Sequence, residues 1–246
     1  KRYLALDPTL VKFLDELKKE VAVVLGPVPN KLKPRWGKGA TYETCGSAEC
    51  VVPSKISTIP TRTPLAKMFE SDWRATLWGR NCSTLRPFEC TIEGGAIDDI
   101  STYNVEAFAV WGTFPDLPIV YGNRYATVPK NRLIDRSIAI EPSLNVSYQL
   151  AFGVHIKMRL RRYGQLLKPM RDWLGRRHGV DSQEIHRQLA RIASLNGDLA
   201  TIDLSAASDT VAYSFVEWCL SPEWFYHLCA LRCPSTEIEG TRYHLE

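Results

Sequence analysis

The chain has 246 residues, 45% of them hydrophobic, enough to bury a sizeable core in one or two domains. No apolar run approaches the ~18 residues of a membrane-spanning helix, and the first residues lack the hydrophobic stretch of a signal peptide. A formal charge of only +4 argues against a generally polyanion-binding protein, and seven irregularly spaced cysteines without a Cys-x-x-Cys suit reduced thiols in a cytosolic protein.

Asp7 is suited to cap a helix that carries Pro8 at its first position. Leu10, Phe13, Leu14, Leu17 and Val21 recur at helical spacing, and Gly26-Pro27 ends the pattern. Residues 27–64 are rich in Pro, Gly, Lys and Thr, which predicts a long irregular excursion with Trp36 and Tyr42 packed down. A helix is predicted over 65–78, with Leu65, Met68, Phe69 and Trp73 on one side. Short strands and turns follow over 81–113. The adjacent acids Asp98 and Asp99 lie there, and a helix start or an exposed turn accounts for them.

Alternating apolar character predicts strands at 124–128 and 137–140, joined by a polar loop that brings Lys130, Arg132 and Arg136 onto or beside it. After Glu141-Pro142 a long helix is predicted to run to Arg162, with Gly164 just past its end. Over 128–177 there are eleven Lys/Arg against three Asp/Glu, a surplus of eight, so the remainder of the chain sums to −4. Such a basic block in an otherwise acidic chain predicts one polyanion-facing surface, with Lys157, Arg159, Arg161 and Arg162 as candidate contacts to phosphates. Asp181 with Glu184 has the form of a capping box for a helix bearing Ile185, Leu189 and Ile192. Cys229, Cys233 and His227 fall one ligand short of a structural zinc site.

After Asn196-Gly197 the chain reads as a short strand from Leu199 that ends on Asp203. A Ser/Ala-rich turn follows, and Asp209 stands where the next helix begins. That helix carries Val211, Phe215, Trp218 and Cys219 on one face. Ser221-Pro222 restarts a second one through Leu231, with Trp224, Phe225 and Tyr226 expected in the core. A carboxylate at the exit of a rigid strand is a good ligand for a hard cation, because the sheet fixes it and the turn leaves it open to substrate.

Two segments resemble one known family. Asp203-Leu-Ser-Ala-Ala-Ser-Asp209 is similar to motif A of the RNA-dependent RNA polymerases of the leviviruses, the replicase beta subunits of Qβ-like single-stranded RNA phages. The segment from Tyr125-Ala-Thr-Val-Pro-Lys130 through Arg136 to Glu141-Pro142 resembles their basic nucleotide-binding motif F. The resemblance implies an α+β chain from a right-handed fingers–palm–thumb polymerase. Residues 1–196 would form the N-terminal and fingers region, and 197–246 the start of the palm. It implies that Asp203 holds catalytic Mg²⁺, two ions in the complete enzyme. Lys130, Arg132 and Arg136 would bind the triphosphate of an incoming NTP, and Asp209 would sense the ribose 2′-hydroxyl.

Template and product RNA are the further partners implied, with host elongation factors Tu and Ts and a ribosomal protein, in the cytoplasm of the bacterial host and without a membrane. The chain has no initiator methionine and ends short of where motifs B and C would fall, so an internal, by itself inactive fragment of a replicase is expected. The competing expectation is a non-catalytic RNA-binding protein that uses the basic 128–177 block and keeps Asp203 as a turn acid.

Overall fold

The computed structural model describes residues 7–44, 55–82, 116–130, 132–164, 170–171, 177–178, 182–200, 202 and 210–245. Helix α1, Pro8–Leu25, begins as its sequence requires: Asp7 Oδ1 accepts the Thr9 amide at 2.7 Å and Pro8 opens the helix. Gly26 ends it at φ 63°, a left-handed conformation that glycine adopts without Cβ strain. The predicted stripe is only partly covered. Leu14, Leu17 and Val21 are half-buried, whereas Leu10 and Phe13 remain exposed.

The chain divides into two compact units, one formed by Lys1–Pro29 with Gly153–Tyr226, the other by Asn30–Phe152 with His227–Glu246. In the first unit α1 contacts α6, Tyr213–Cys219, and Lys18 lies over the Trp218 ring at 5.2 Å. The indole N–H of Trp224 donates to the Gly26 carbonyl at 2.7 Å. Helix α5, Ser182–Asn196, leaves Leu189, Ile192 and Leu195 exposed. Asp181 lies outside the described residues, and Glu184 is engaged by Arg187 at 2.8 Å and Gln188 at 3.0 Å along the helix itself. Two two-residue strands, β3 (Met170–Arg171) and β4 (Arg177–His178), pair antiparallel.

The second unit is built on a four-stranded sheet in the order β2-β1-β5-β6. Strands β1 (Asn123–Pro129) and β2 (Asp135–Ile140) form an antiparallel hairpin in register from Arg124↔Ile140 to Pro129↔Asp135. Strands β5 (Ser235–Ile238) and β6 (Thr241–His244) form a second hairpin around Glu239 and Gly240, both at positive φ as a twisted two-residue turn demands. The two hairpins join through a short parallel pairing, Asn123↔Thr236 and Arg124↔Glu237. Gly122 makes that join possible, because a Cβ there would collide with the Ser235 backbone.

Helix α4, Ser143–Arg162, runs as predicted to the residue before Tyr163, with Gly164 at φ 73°. Its N-terminal half is buried in the second unit, where Leu144 is fully covered and Tyr148 and Phe152 pack with Phe69. The predicted helix over 65–78 is instead three short pieces: a 3₁₀ segment Leu65–Phe69, α2 (Glu70–Arg74) and α3 (Leu77–Cys82). The break lies at Thr76, whose hydroxyl donates to the Trp73 carbonyl at 2.6 Å and accepts the Gly79 amide at 3.1 Å. This local cap competes with helix propagation. It also folds Trp78 back on Trp73, with ring centroids 5.4 Å apart, and Trp36 joins them at 4.1 Å from Trp78.

Two expectations near the second aspartate-bearing segment need correction. Residues 197–200 and 202 carry no strand, and Ile202 is 84% exposed. A strand without a ladder neighbour leaves its amides and carbonyls to water and is not maintained. The following helix begins at Tyr213 rather than at Asp209, with Val211 ahead of it. Helix α7, Pro222–Leu231, buries Trp224, but Tyr226 points outward at 55% exposure. Among the described residues no helix is long and apolar enough to cross a membrane.

Candidate nucleotide and RNA interface

The hairpin β1/β2 holds the three predicted triphosphate ligands. The ladder extends further toward the tip than the sequence suggested, so Arg136 lies within β2 opposite Val128, and the loop proper shrinks to 130–134. The Lys130 amide closes that loop on the Ile134 carbonyl at 3.0 Å. Lys130, Arg132 and Arg136 are all exposed, and among the described residues none of them pairs with a carboxylate. Three such cations on one rigid hairpin end suit a polyphosphate, since the arginine fork can engage two oxygens at once. Leu133 stands at the tip, 89% exposed.

The base of the same hairpin is held by buried polar contacts. Glu141 accepts from the Asn123 side-chain amide at 2.9 Å and from the Cys233 thiol at 2.9 Å. Burial, reinforced by the Glu141 charge, pushes the Cys233 thiol well above its ordinary range. It is thus an inert donor rather than a nucleophile or a metal ligand. His227, the other zinc candidate, packs against Phe69 and Phe152. Burial likewise lifts Cys82 to about 11.

Nothing local in the sequence marks Glu43, yet it gathers three donors at this junction. Its Oε1 accepts from the Ser143 amide at 3.2 Å, from the Ser143 hydroxyl at 2.8 Å and from the Thr61 amide. It thereby places a carboxylate on the N-terminus of α4, where the helix dipole favours negative charge. Asn145 is equally hidden from a local reading. It is fully buried, accepting the Thr63 amide at 3.1 Å and donating to Thr63 Oγ1 at 2.7 Å and the Leu231 carbonyl at 3.0 Å.

The second basic cluster lies on the C-terminal half of α4. Lys157 and Arg161 are exposed and four residues apart, hence on one helix face, and Arg162 is exposed beside them. Arg159 is used differently. Its guanidinium donates to the Val24 carbonyl at 2.8 Å and the Val23 carbonyl at 3.0 Å, closing off the C-terminal carbonyls of α1. Near it, burial and then the Arg159 charge lower the His155 pKa.

Asp203, Asp209, Asp98 and Asp99 lie outside the described residues. Among the described residues no group of three or more His, Cys, Asp or Glu side chains is placed to hold a metal ion.

Comparison with known proteins agrees with the motifs. The family model described as RNA replicase, beta-chain, matches residues 112–246, a stretch that contains both hairpins and both basic clusters. Over 110 residues the chain is 41% identical to the RNA-directed RNA polymerase subunit beta of Enterobacteria phage SP, covering 45% of this chain and 17% of that protein. The corresponding protein of Escherichia virus Qbeta is 40% identical over 116 residues, 47% of this chain and 18% of its own length. The RNA-directed RNA polymerase beta chain of Enterobacteria phage GA is 38% identical over 121 residues, 49% and 20%. The chain thus spans about a fifth of the length of these relatives.

Proposed function

Because the chain belongs to the RNA replicase beta-chain family, we propose that it is part of an RNA-directed RNA polymerase that copies a single-stranded RNA phage genome from NTPs. The observation that carries this reading is the β1/β2 hairpin, with Lys130, Arg132 and Arg136 exposed and unpaired among the described residues. In this role the hairpin neutralises the triphosphate of the incoming nucleotide, while Lys157, Arg161 and Arg162 follow RNA phosphates. Arg159 belongs to the same cluster and also fastens it to α1.

The complete enzyme is proposed to be a fingers–palm–thumb polymerase, with 1–196 in the N-terminal and fingers region and 197–246 opening the palm. Asp203 is proposed to hold Mg²⁺ together with further carboxylates of the longer replicase. Two such ions would lower the barrier by stabilising the attacking and leaving oxygens of the displacement. Host elongation factors Tu and Ts and a ribosomal protein are proposed partners in the bacterial cytoplasm.

Alanine at Lys130, Arg132 and Arg136 together, in the full-length replicase, is expected to raise the KM for NTPs roughly 100-fold, since each charge-assisted contact at an open site is worth about 1 kcal/mol or more. RNA affinity should change much less. A triple variant with normal KM and lost RNA affinity would instead support a binding module. For Asp209, substitution by alanine should erode discrimination of ribo- from deoxynucleotides by about tenfold or more, because a hydroxyl-sensing group rejects the analogue that leaves it unpaired. Unchanged discrimination in an active variant removes that role.

A further inference from the structure

We infer that Glu43 is a positioning residue, which sets the angle of the cationic hairpin and through it the affinity for the incoming triphosphate. The inference rests on the nucleotide-binding reading of the hairpin given above, and it concerns a residue outside the stretch 112–246 that matches the family model.

The turn Tyr42–Thr44 is a preformed clamp. Thr41 and Thr44 close it on themselves, the Thr41 amide donating to Thr44 Oγ1 at 2.9 Å and the Thr44 amide to the Thr41 carbonyl at 2.9 Å. Three contacts then reach the foot of the hairpin. The Tyr42 amide donates to the Glu141 carbonyl at 2.9 Å, one residue past the end of β2. The Tyr42 ring lies under the Arg124 guanidinium at 4.0 Å, and Arg124 is the β1 residue paired with Ile140. Glu43 fixes Ser143, the first residue of α4, and holds the Thr61 amide in the same grip.

All of these contacts converge where β2 turns into α4. The hairpin beyond that point is a cantilever, because its distal residues are exposed on both strands. From Ile140 to Asp135 the strand is six residues, about 20 Å at ~3.4 Å per residue. A tilt of about 5° at the clamp therefore moves Lys130 and Arg132 by roughly 2 Å. Displacements of about 1 Å at a reacting group are enough to cost up to about 100-fold. Glu43 carries most of this grip, because one oxygen serves three donors that come from two segments of chain.

The test uses full-length replicase. Glu43→Ala is expected to raise the KM for NTPs about tenfold with kcat within about twofold. Glu43→Gln, whose amide oxygen still accepts the same donors, should stay within about threefold of the parent KM. Ser143→Ala, which deletes only the hydroxyl contact, should fall between them and guards against a Glu43→Ala protein that fails to fold. Amide exchange along the β1/β2 ladder supplies a readout that does not depend on nucleotide. It should accelerate about tenfold in Glu43→Ala and little in Glu43→Gln.

A Glu43→Ala enzyme with unchanged KM and unchanged hairpin exchange overturns the inference, as does equal behaviour of the alanine and glutamine variants. If the Lys130, Arg132 and Arg136 triple variant leaves KM unaltered, the nucleotide-binding reading fails. The exchange measurement then still decides whether Glu43 clamps the hairpin.

Discussion

Asp203→Asn in the full-length replicase is expected to abolish nucleotide incorporation, a loss of roughly 1000-fold or more, with circular dichroism and RNA binding unchanged. The amide is nearly isosteric with the carboxylate but lacks the negative charge that a hard divalent cation requires. A transition state that spreads charge over phosphoryl oxygens depends almost wholly on positioning and neutralisation, so losing one anionic ligand is felt in kcat. Single-turnover incorporation at saturating NTP isolates that step. A variant that incorporates at the parent rate removes Asp203 from the metal site and leaves it the turn acid of the competing reading.

The largest effect on stability is expected at Glu70. Its side chain is 7% exposed and receives Arg62, 2% exposed, at 3.0 Å, and Arg74 through Nε at 3.1 Å. Arg62 is also built into the backbone: its amide donates to the Pro118 carbonyl at 3.0 Å and its carbonyl accepts the Val120 amide at 2.9 Å. Glu70→Ala would strand a buried guanidinium, which costs about 3–5 kcal/mol. Thermal unfolding followed by the fluorescence of Trp36, Trp73 and Trp78 should show a drop of about 10 °C or more. Replacing Arg62 and Glu70 together with Met and Leu should cost much less than Glu70→Ala alone, because the fully buried guanidinium then leaves with its partner and the more exposed Arg74 keeps access to water. Equal losses in the single and double variants would show that packing, rather than the uncompensated charge, sets the penalty.

Local chemistry wrote some elements plainly and left others to distant partners. The start of α1 at Asp7-Pro8, the β1/β2 hairpin and α4 up to Gly164 follow from capping, alternation and glycine placement, all readable within a few residues. The clustering of Lys130, Arg132 and Arg136 was legible for the same reason, since all three belong to that one hairpin. The break at Thr76 was not, because a threonine in an apolar periodicity shows no sign of which carbonyl its hydroxyl will choose. Nor was the outward turn of Tyr226, because an aromatic run records hydrophobicity but not the helix face that meets a neighbour. Arg159 reads in the sequence like Arg161 and Arg162, yet α1 takes its guanidinium. Glu43 and Asn145 draw their importance from partners about eighty to a hundred positions away, which no local spacing encodes.

The parallel join between β1 and β5 sets an order of events during synthesis. The cationic hairpin can zip up as soon as residue 140 has left the ribosome, since its pairing is local. Its β1 edge, however, must wait for Thr236 and Glu237, more than a hundred positions later. At bacterial elongation speeds that is on the order of 5–25 s during which a strand edge stands open on a nascent chain. Slow codons or a stalled ribosome between the two hairpins would lengthen that interval and favour edge-to-edge aggregation. The yield of native replicase should therefore depend on translation tempo within this stretch more than on tempo before it.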